Sequence, residues 1–485
     1  MIDWSIDNLD KQVSEIIRFG IGVLIAIMLT TGGILFYAYR KNKENIKIAY
    51  YDDVTGLRNT RYLHDYLDGL LVVPKKRNKV LLLLHFNNLK MVNMTYGFAY
   101  GDELLKQIAD KIRQVLKTDE TFFRYDGNRF VIIMDNSEQK ESARYIAEKV
   151  IRLFDDPIVQ GTEKQFVEVQ IAIVNLLERH DTTDKVLQDA TLTLTYIKDS
   201  AVLPLAFFDE KMVEVLLRKE KLVKVLRDVI SGKDTTSFYL EYQPKIDLST
   251  NRVMGFEALA RLRTDPLGQI PPDEFIALAE EKLLINELGN HILKLAIDFL
   301  ARMQKQGLSD VTLAVNISGI QLLREDFVEA LRAAPYLTDE ILKSLEFEIT
   351  ESVLLEHHNQ INDILEEIKR LGISVSMDDF GTGFSSLSSI GELHIDTVKI
   401  DRFFINRISH LPDKDLITSD IISMAHKIGL QVVAEGVEDE RQKTYLEHYG
   451  CDIIQGYLVS RPLPELKALS FLEDYNGMSQ VQVKE

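Results

Sequence analysis

The segment SVSMDDFGTGFSSLSSIGELHIDTVKID, residues 374–401, holds two short apolar β-rich runs that each close on charge: Asp378 and Asp379 in the first, Lys399 and Asp401 in the second. The same design recurs on both sides of it. TLAVNIS (312–318) carries Asn316, LEFEIT (345–350) carries Glu348, VVAEGVE (432–438) carries Glu435 and Glu438, and DIIQGY (452–457) carries Gln455. A carboxylate buried without a partner is costly, so acids repeated at strand ends call for a shared cation or substrate. One common site is expected.

The stretches between these runs suit helices, and strand plus helix repeated implies parallel strands joined by crossovers. Ser352 to Leu371 is the clearest helical stretch: apolar at Val353, Leu354, Ile361, Ile364, Leu365, Ile368 and Leu371, acidic at Glu366 and Glu367, and closed by Gly372. Residues 234–475 approach the roughly 250 residues of an α/β barrel of the (β/α)8 TIM type, whose functional groups gather at the carboxyl ends of the strands.

Composition narrows the field. The 485 residues suggest about three units at roughly 150 each, or fewer if one is a barrel. With 46% hydrophobic and 27% charged residues the chain can build real cores, and a net charge of -18 argues against a nucleic-acid polymer as partner. The basic run Lys75, Lys76, Arg77, Lys79 reads as a solvated turn. A lone cysteine, Cys451, excludes an internal disulfide and reads as buried and inert in a reducing compartment.

Residues 19–39 carry no charge and, at about 1.5 Å per residue, can cross a bilayer of about 30 Å as one transmembrane helix. A cleaved signal peptide would be shorter and preceded by positive charge, whereas Asp3, Asp7, Asp10 and Glu15 come first here. Arg40, Lys41, Lys43 and Lys47 in the juxtamembrane linker 40–51 place everything downstream in the cytoplasm at the inner membrane, leaving residues 1–18 as a short extracytoplasmic end. Residues 52–209 read as a compact α/β unit with helices at 59–71, 101–116 and 139–154, a strand at 80–86 and a hairpin at 122–134. Residues 210–233 read as a connector helix, and 476–485 as a tail.

The motifs of the barrel region name a family. GFEALARLR (255–263), NIS (316–318), EITE (348–351), DDFGTGFSSL (378–387), VKID (398–401), EGVE (435–438) and QGYLVSRPLP (455–464) resemble, in order over about 240 residues, the EAL phosphodiesterases that hydrolyse cyclic di-GMP to pGpG. The resemblance implies two divalent cations, Mg²⁺ or Mn²⁺, because a phosphodiester is anionic and repels hydroxide. Glu257, Asn316, Glu348 and Asp378 would hold one; Asp378, Asp379 and Glu435 would hold the other. By the same resemblance Lys399 would orient the attacking water, Glu351 would shape the DDFGTG loop and Asp401 would support Lys399. Gln455 would lie beside the metals and Arg261 would grip a phosphate or guanine, while Gly381 and Gly383 suit a tight or moving loop. A homodimer is also implied. Leu262 stands where the family often has an aromatic residue, which is expected to weaken packing near the substrate.

Rival readings stay on the table. A single strand-end acid is often a helix cap, and Lys399 could be a Schiff-base lysine, although flanking carboxylates would raise its pKa rather than depress it. His357 and His358 follow an acidic helix and are assigned no metal. A barrel that captures cyclic di-GMP without cutting it is the alternative function.

The unit at 52–209 resembles the GGDEF diguanylate cyclases. VTGL (54–57), the spacing Asn93, Gly97, Gly101, Asp102, and RYDGNRF (124–130) carry the likeness. Where the family places metal-binding acids, this chain has His85 and Asn87 on the strand and Asp126, Gly127, Asn128, Arg129, Phe130 in the signature; a cation at Arg129 should expel Mg²⁺, so cyclase activity is not expected. Asn93 and Asp102 match guanine-contacting positions, which leaves GTP binding without turnover in a regulatory role; the rival is that they cap helix 101–116. The inhibitory RxxD form of the family is replaced by Lys117 to Glu120, without the fork of arginine.

Overall fold

The computed structural model describes residues 2–482 except 73–78, 117–120, 136–139, 178, 201–202, 309, 335–336, 357 and 382–389. Lys75, Lys76, Arg77, the 117–120 stretch, His357 and the 382–387 part of the DDFGTGFSSL motif, Gly383 included, lie outside the described residues. Tertiary contacts divide the chain into two units, Met1–Leu217 and Arg218–Glu485.

The first unit opens with a single helix, Ile2–Tyr50. It continues to Tyr50, through nearly all of the expected 40–51 linker, since no glycine or proline there interrupts it. Within it, Ile17–Tyr50 is long and apolar enough to cross a membrane, with mean hydropathy 2.2, and its most apolar stretch is exposed.

Behind it stands a five-stranded sheet. Its strands are β1 (Lys79–Phe86), β2 (Phe122–Asp126), β3 (Arg129–Asp135), β6 (Val169–Asn175) and β7 (Leu205–Phe207), in the order β2-β3-β1-β6-β7; β4 (Ile158–Gln160) and β5 (Glu163–Gln165) form a separate hairpin. Strand β1 is buried on both faces because its period of two divides five consecutive apolar residues. Leu82 and Leu84 pack with Leu104, Ile108 and Phe130, while Leu81 and Leu83 pack with Leu63, Leu67 and Phe123. The helix expected from Gly101 begins three residues earlier and spans Phe98–Arg113, because Gly97 at φ 87 ends the preceding helix and lets the next one start.

The second unit is the expected TIM-type barrel. Its strands are β8 (Phe238–Asp247), β9 (Arg252–Thr264), β10 (Gly268–Ile270), β11 (Thr312–Asn316), β12 (Leu345–Thr350), β13 (Ser374–Phe380), β14 (Thr397–Ile400), β15 (Gln431–Glu435) and β16 (Ile453–Gln455). β9 and β11 to β16 run parallel, and β8 closes the ring antiparallel to both β9 and β16, with β10 added outside on β9. The turn between β8 and β9, residues 248–251, is too short for a crossover, so those two strands must form a hairpin. Residues 352–371 form helices Glu351–Glu356 and His358–Arg370, whose Leu354, Ile361, Leu365 and Ile368 are buried. Helix Glu210–Ile230 contributes Leu222, Leu226 and Val229 to the barrel core.

Candidate active site at the carboxyl rim of the barrel

Strand alternation builds the site. In β12, Phe347 and Ile349 turn outward into the apolar core, so Glu346 and Glu348 turn inward. Parallel pairing then sets the inward residues side by side: Asn316 opposite Glu348, Thr350 opposite Asp378, and Glu435 opposite Gln455. Asp378 and Asp379 are neighbours and should face opposite ways. A register shift between Met377 and Phe380, with Asp379 at φ 56, breaks the alternation. Aspartate tolerates that left-handed conformation better than most residues. As a result Asp378, Asp379 and Glu435 each bring one oxygen within 4.8 Å of the others.

Lys399 lies at the centre, its side chain 1% exposed. Its Nζ is 2.5 Å from Glu435, 2.9 Å from Glu348, 3.1 Å from Asp378 and 3.8 Å from Glu257. Asn316 Nδ2 donates to Glu257 Oε1 at 2.9 Å and to Glu348 Oε2 at 3.3 Å; Gln455 Nε2 donates to Glu257 Oε2 at 2.5 Å and to Gln243 Oε1 at 3.2 Å. Glu351 accepts the backbone N–H of Gly381 at 2.7 Å, which anchors the start of the loop after Asp379.

Burial pushes the Glu257 carboxyl up to about 7, helped by the neighbouring Glu348, and pushes Glu435 up to about 8 against the pull of Lys399. Burial acts on Glu348 in the same sense, but Lys245 and Lys399 together outweigh it and hold that carboxyl down at about 2. Burial disfavours the Lys399 ammonium, yet the surrounding carboxylates raise its pKa well above the ordinary lysine value. A Schiff-base role needs the opposite shift. Burial also raises the Cys451 thiol to about 12, in keeping with an inert cysteine.

The donor set fits hard divalent cations. It is made of carboxylates with amide groups at Asn316 and Gln455, and Gln455 Oε1 is buried and accepts no hydrogen bond among the described residues. Glu257, Glu346, Glu348, Asp378, Asp379 and Glu435 against Lys245 and Lys399 leave a formal excess of four negative charges, which two divalent ions would cancel.

Asp401 caps helix Arg402–Ile408, accepting from Phe403 N at 2.8 Å; burial raises the pKa of Asp379, and the charges of Asp378 and then Asp401 add to it. Leu262 is fully buried, because alternation from Arg261 sends it into the core. Arg261 itself pairs with Glu241 at 2.8 Å and lines a cavity of about 540 Å³ with Gln269, Pro271, Tyr457 and Arg461.

Sequence reasoning missed Lys245, Glu346, Gln243 and Glu241. The signal was available: stepping two residues from Glu348 reaches Glu346, and the inward face of β8 reads Gln243 then Lys245.

In the first unit, Arg129 stands opposite His85 across β1 and β3 and lies 3.6 Å from Asp126. Burial, then the charge of Arg129, lowers the pKa of His85. Asn93 packs so tightly on Gly101 that a Cβ there would meet Asn93 Oδ1 at 1.8 Å, and that oxygen is buried without a partner among the described residues. Asp102 is exposed and lies in the second turn of Phe98–Arg113, whose N-cap is Gly97, so neither Asn93 nor Asp102 caps that helix.

Residues 225–462 match the EAL domain model, and residues 49–201 match the model of the diguanylate cyclase GGDEF domain. The chain carries an EAL domain, with a GGDEF domain ahead of it. It is 30% identical over 433 residues to the bifunctional diguanylate cyclase/cyclic di-GMP phosphodiesterase MucR of Pseudomonas aeruginosa, covering 89% of this chain and 63% of MucR. It is 32% identical over 435 residues to the cyclic di-GMP phosphodiesterase NbdA of the same organism, covering 88% of this chain and 54% of NbdA. The chain thus spans between about half and two thirds of these curated relatives. Among solved structures, "PaMucR Phosphodiesterase, c-di-GMP complex" is 33% identical, covering 51% of this chain and 99% of that one, with a TM-score of 0.47.

Proposed function

We propose that the EAL domain of this chain hydrolyses cyclic di-GMP to linear pGpG. The observation that carries the reading is the convergence of Glu257, Asn316, Glu348, Asp378, Asp379 and Glu435 around one buried lysine at one rim. Two Mg²⁺ or Mn²⁺ ions, one held by Glu257, Asn316, Glu348 and Asp378 and one by Asp378, Asp379 and Glu435, would neutralise the phosphodiester and lower the pKa of the attacking water. Lys399, kept protonated by its carboxylate neighbours, orients that water by donation from Nζ and is a poor proton acceptor. Glu351 keeps the turn after Asp379 in place through Gly381. Gln455 orients Glu257, and Arg261, held by Glu241, faces the cavity that would receive a guanine or phosphate.

In the same reading the GGDEF domain has lost cyclase chemistry through Arg129 and His85 and binds GTP at Asn93 and Asp102 as a regulatory ligand. The apolar helix anchors the chain in the inner membrane with both domains in the cytoplasm, and the enzyme acts as a homodimer. The test is incubation of the full chain in detergent with cyclic di-GMP and Mg²⁺ or Mn²⁺, with product analysis. Appearance of pGpG supports turnover. Bound but uncut dinucleotide would instead make the barrel a receptor.

A further inference from the structure

Glu348 has two oxygens, and the structure gives each a different job. Oε2 faces the rim, where Lys399 lies 2.9 Å away and Asn316 Nδ2 lies 3.3 Å away. Oε1 faces inward, where it accepts from Lys245 Nζ at 3.0 Å. Lys245 is 1% exposed and comes from β8, the antiparallel strand that closes the ring. Its other partner is Glu346 Oε2 at 3.0 Å, and Glu346 in turn accepts from the Ser376 hydroxyl. A fully buried ammonium is retained only when carboxylates compensate its lost hydration, and here two do. Among the described residues, the hydrogen-bond partners of Lys245 Nζ are Glu346 and Glu348.

We infer that Lys245 is a positioning residue that locks Glu348 into presenting a single oxygen to a cation, and so biases the rim toward Mg²⁺ and Mn²⁺ over Ca²⁺. This rests on the metal-site reading above. Mg²⁺ requires compact octahedral geometry, whereas Ca²⁺ accepts about six to eight oxygens and readily takes a carboxylate through both. While Lys245 occupies Oε1, Glu348 cannot offer the second oxygen that a larger ion uses. Partners behind a ligand of this kind typically change metal affinity by about 10- to 100-fold when removed.

The test is calorimetric titration of the full chain with Mg²⁺, Mn²⁺ or Ca²⁺ alone, comparing Lys245→Met with the parent. The ratio of Ca²⁺ to Mg²⁺ dissociation constants should fall by about tenfold or more in the variant, Ca²⁺ gaining relative to Mg²⁺. Glu346→Gln leaves Lys245 on Glu348 and should keep the parental ratio. If Lys245→Met does not fold, the double variant Lys245→Met with Glu346→Leu removes the stranded carboxylate as well and should show the same fall. An unchanged ratio in the folded Lys245 variant, or an equal fall in Glu346→Gln, overturns the inference while leaving the proposed function standing. A parent chain that takes up no divalent cation overturns both.

Discussion

The barrel rim and the β2–β3 hairpin of the GGDEF domain are both strand-end sites, yet they balance charge in opposite ways. At the rim, one lysine is surrounded by four carboxylates within 3.8 Å and the surplus is negative. At the hairpin, Arg129 has a carboxylate at 3.6 Å and stands opposite His85, itself disfavoured as a cation by burial and by that arginine. A surplus of buried carboxylate invites a metal, whereas a cation already in place repels one. The contrast is the physical basis on which we propose turnover for one domain and not for the other.

The strongest way to break this contrast is to remove a rim carboxylate. Glu257→Ala should lower cyclic di-GMP hydrolysis by about a thousandfold or more, with far-UV circular dichroism unchanged, since such losses are typical when a group acting on the reacting centre is deleted. Arg129→Ala should leave hydrolysis within about twofold of the parent. Retained turnover in the first variant would remove Glu257 from the site.

Proton linkage gives the next largest effect. In the metal-free chain Glu257 is held up at about 7 and Glu435 at about 8, so the folded state keeps protons that the unfolded chain releases near 4.5. Stability therefore falls as pH rises from about 5 to about 8, by a few kcal/mol in all, with Glu257 at 8% side-chain exposure contributing more reliably than Glu435 at 19%. Mg²⁺ should flatten that slope because binding favours the ionised carboxylates. Thermal unfolding at pH 5 and pH 8, with EDTA and with Mg²⁺, measures it. A metal-free chain more stable at pH 8 would contradict the raised carboxyls.

Replacing Mg²⁺ by Ca²⁺ should reduce turnover by about tenfold or more, as a larger ion with looser geometry suits a two-ion arrangement poorly. Equal rates would count against that arrangement. The smallest expected signal lies in the GGDEF domain: GTP should bind the full chain by calorimetry without forming cyclic di-GMP, and Asp102→Ala should weaken binding several-fold. No heat at millimolar GTP would retire the regulatory role, and cyclic product would restore the domain as a cyclase.

Short-range pattern carried much of this in the primary structure. Short apolar β-rich runs closed by charge pointed to the barrel strands and to Asn316, Glu348, Asp378 and Glu435, because burial cost acts over neighbouring residues, whereas Glu257, in mid-strand, came only through the resemblance of GFEALARLR. Asp401 is ambiguous for the same reason: an acid after a strand is also an acid before a helix, and here it caps that helix.

Other features depend on contacts that no local window contains. Lys245 meets Glu346 across 101 positions of chain, and its pairing exists only because β8 closes the ring in reverse. Asp378 and Asp379 bring their oxygens together only because a register shift against β14 turns Asp379 left-handed. Which charges are present is a property of the chain written out in a line. Which of them neutralise one another is a property of ring closure, since electrostatic compensation in a low-dielectric interior depends on distance in space and not on separation in sequence.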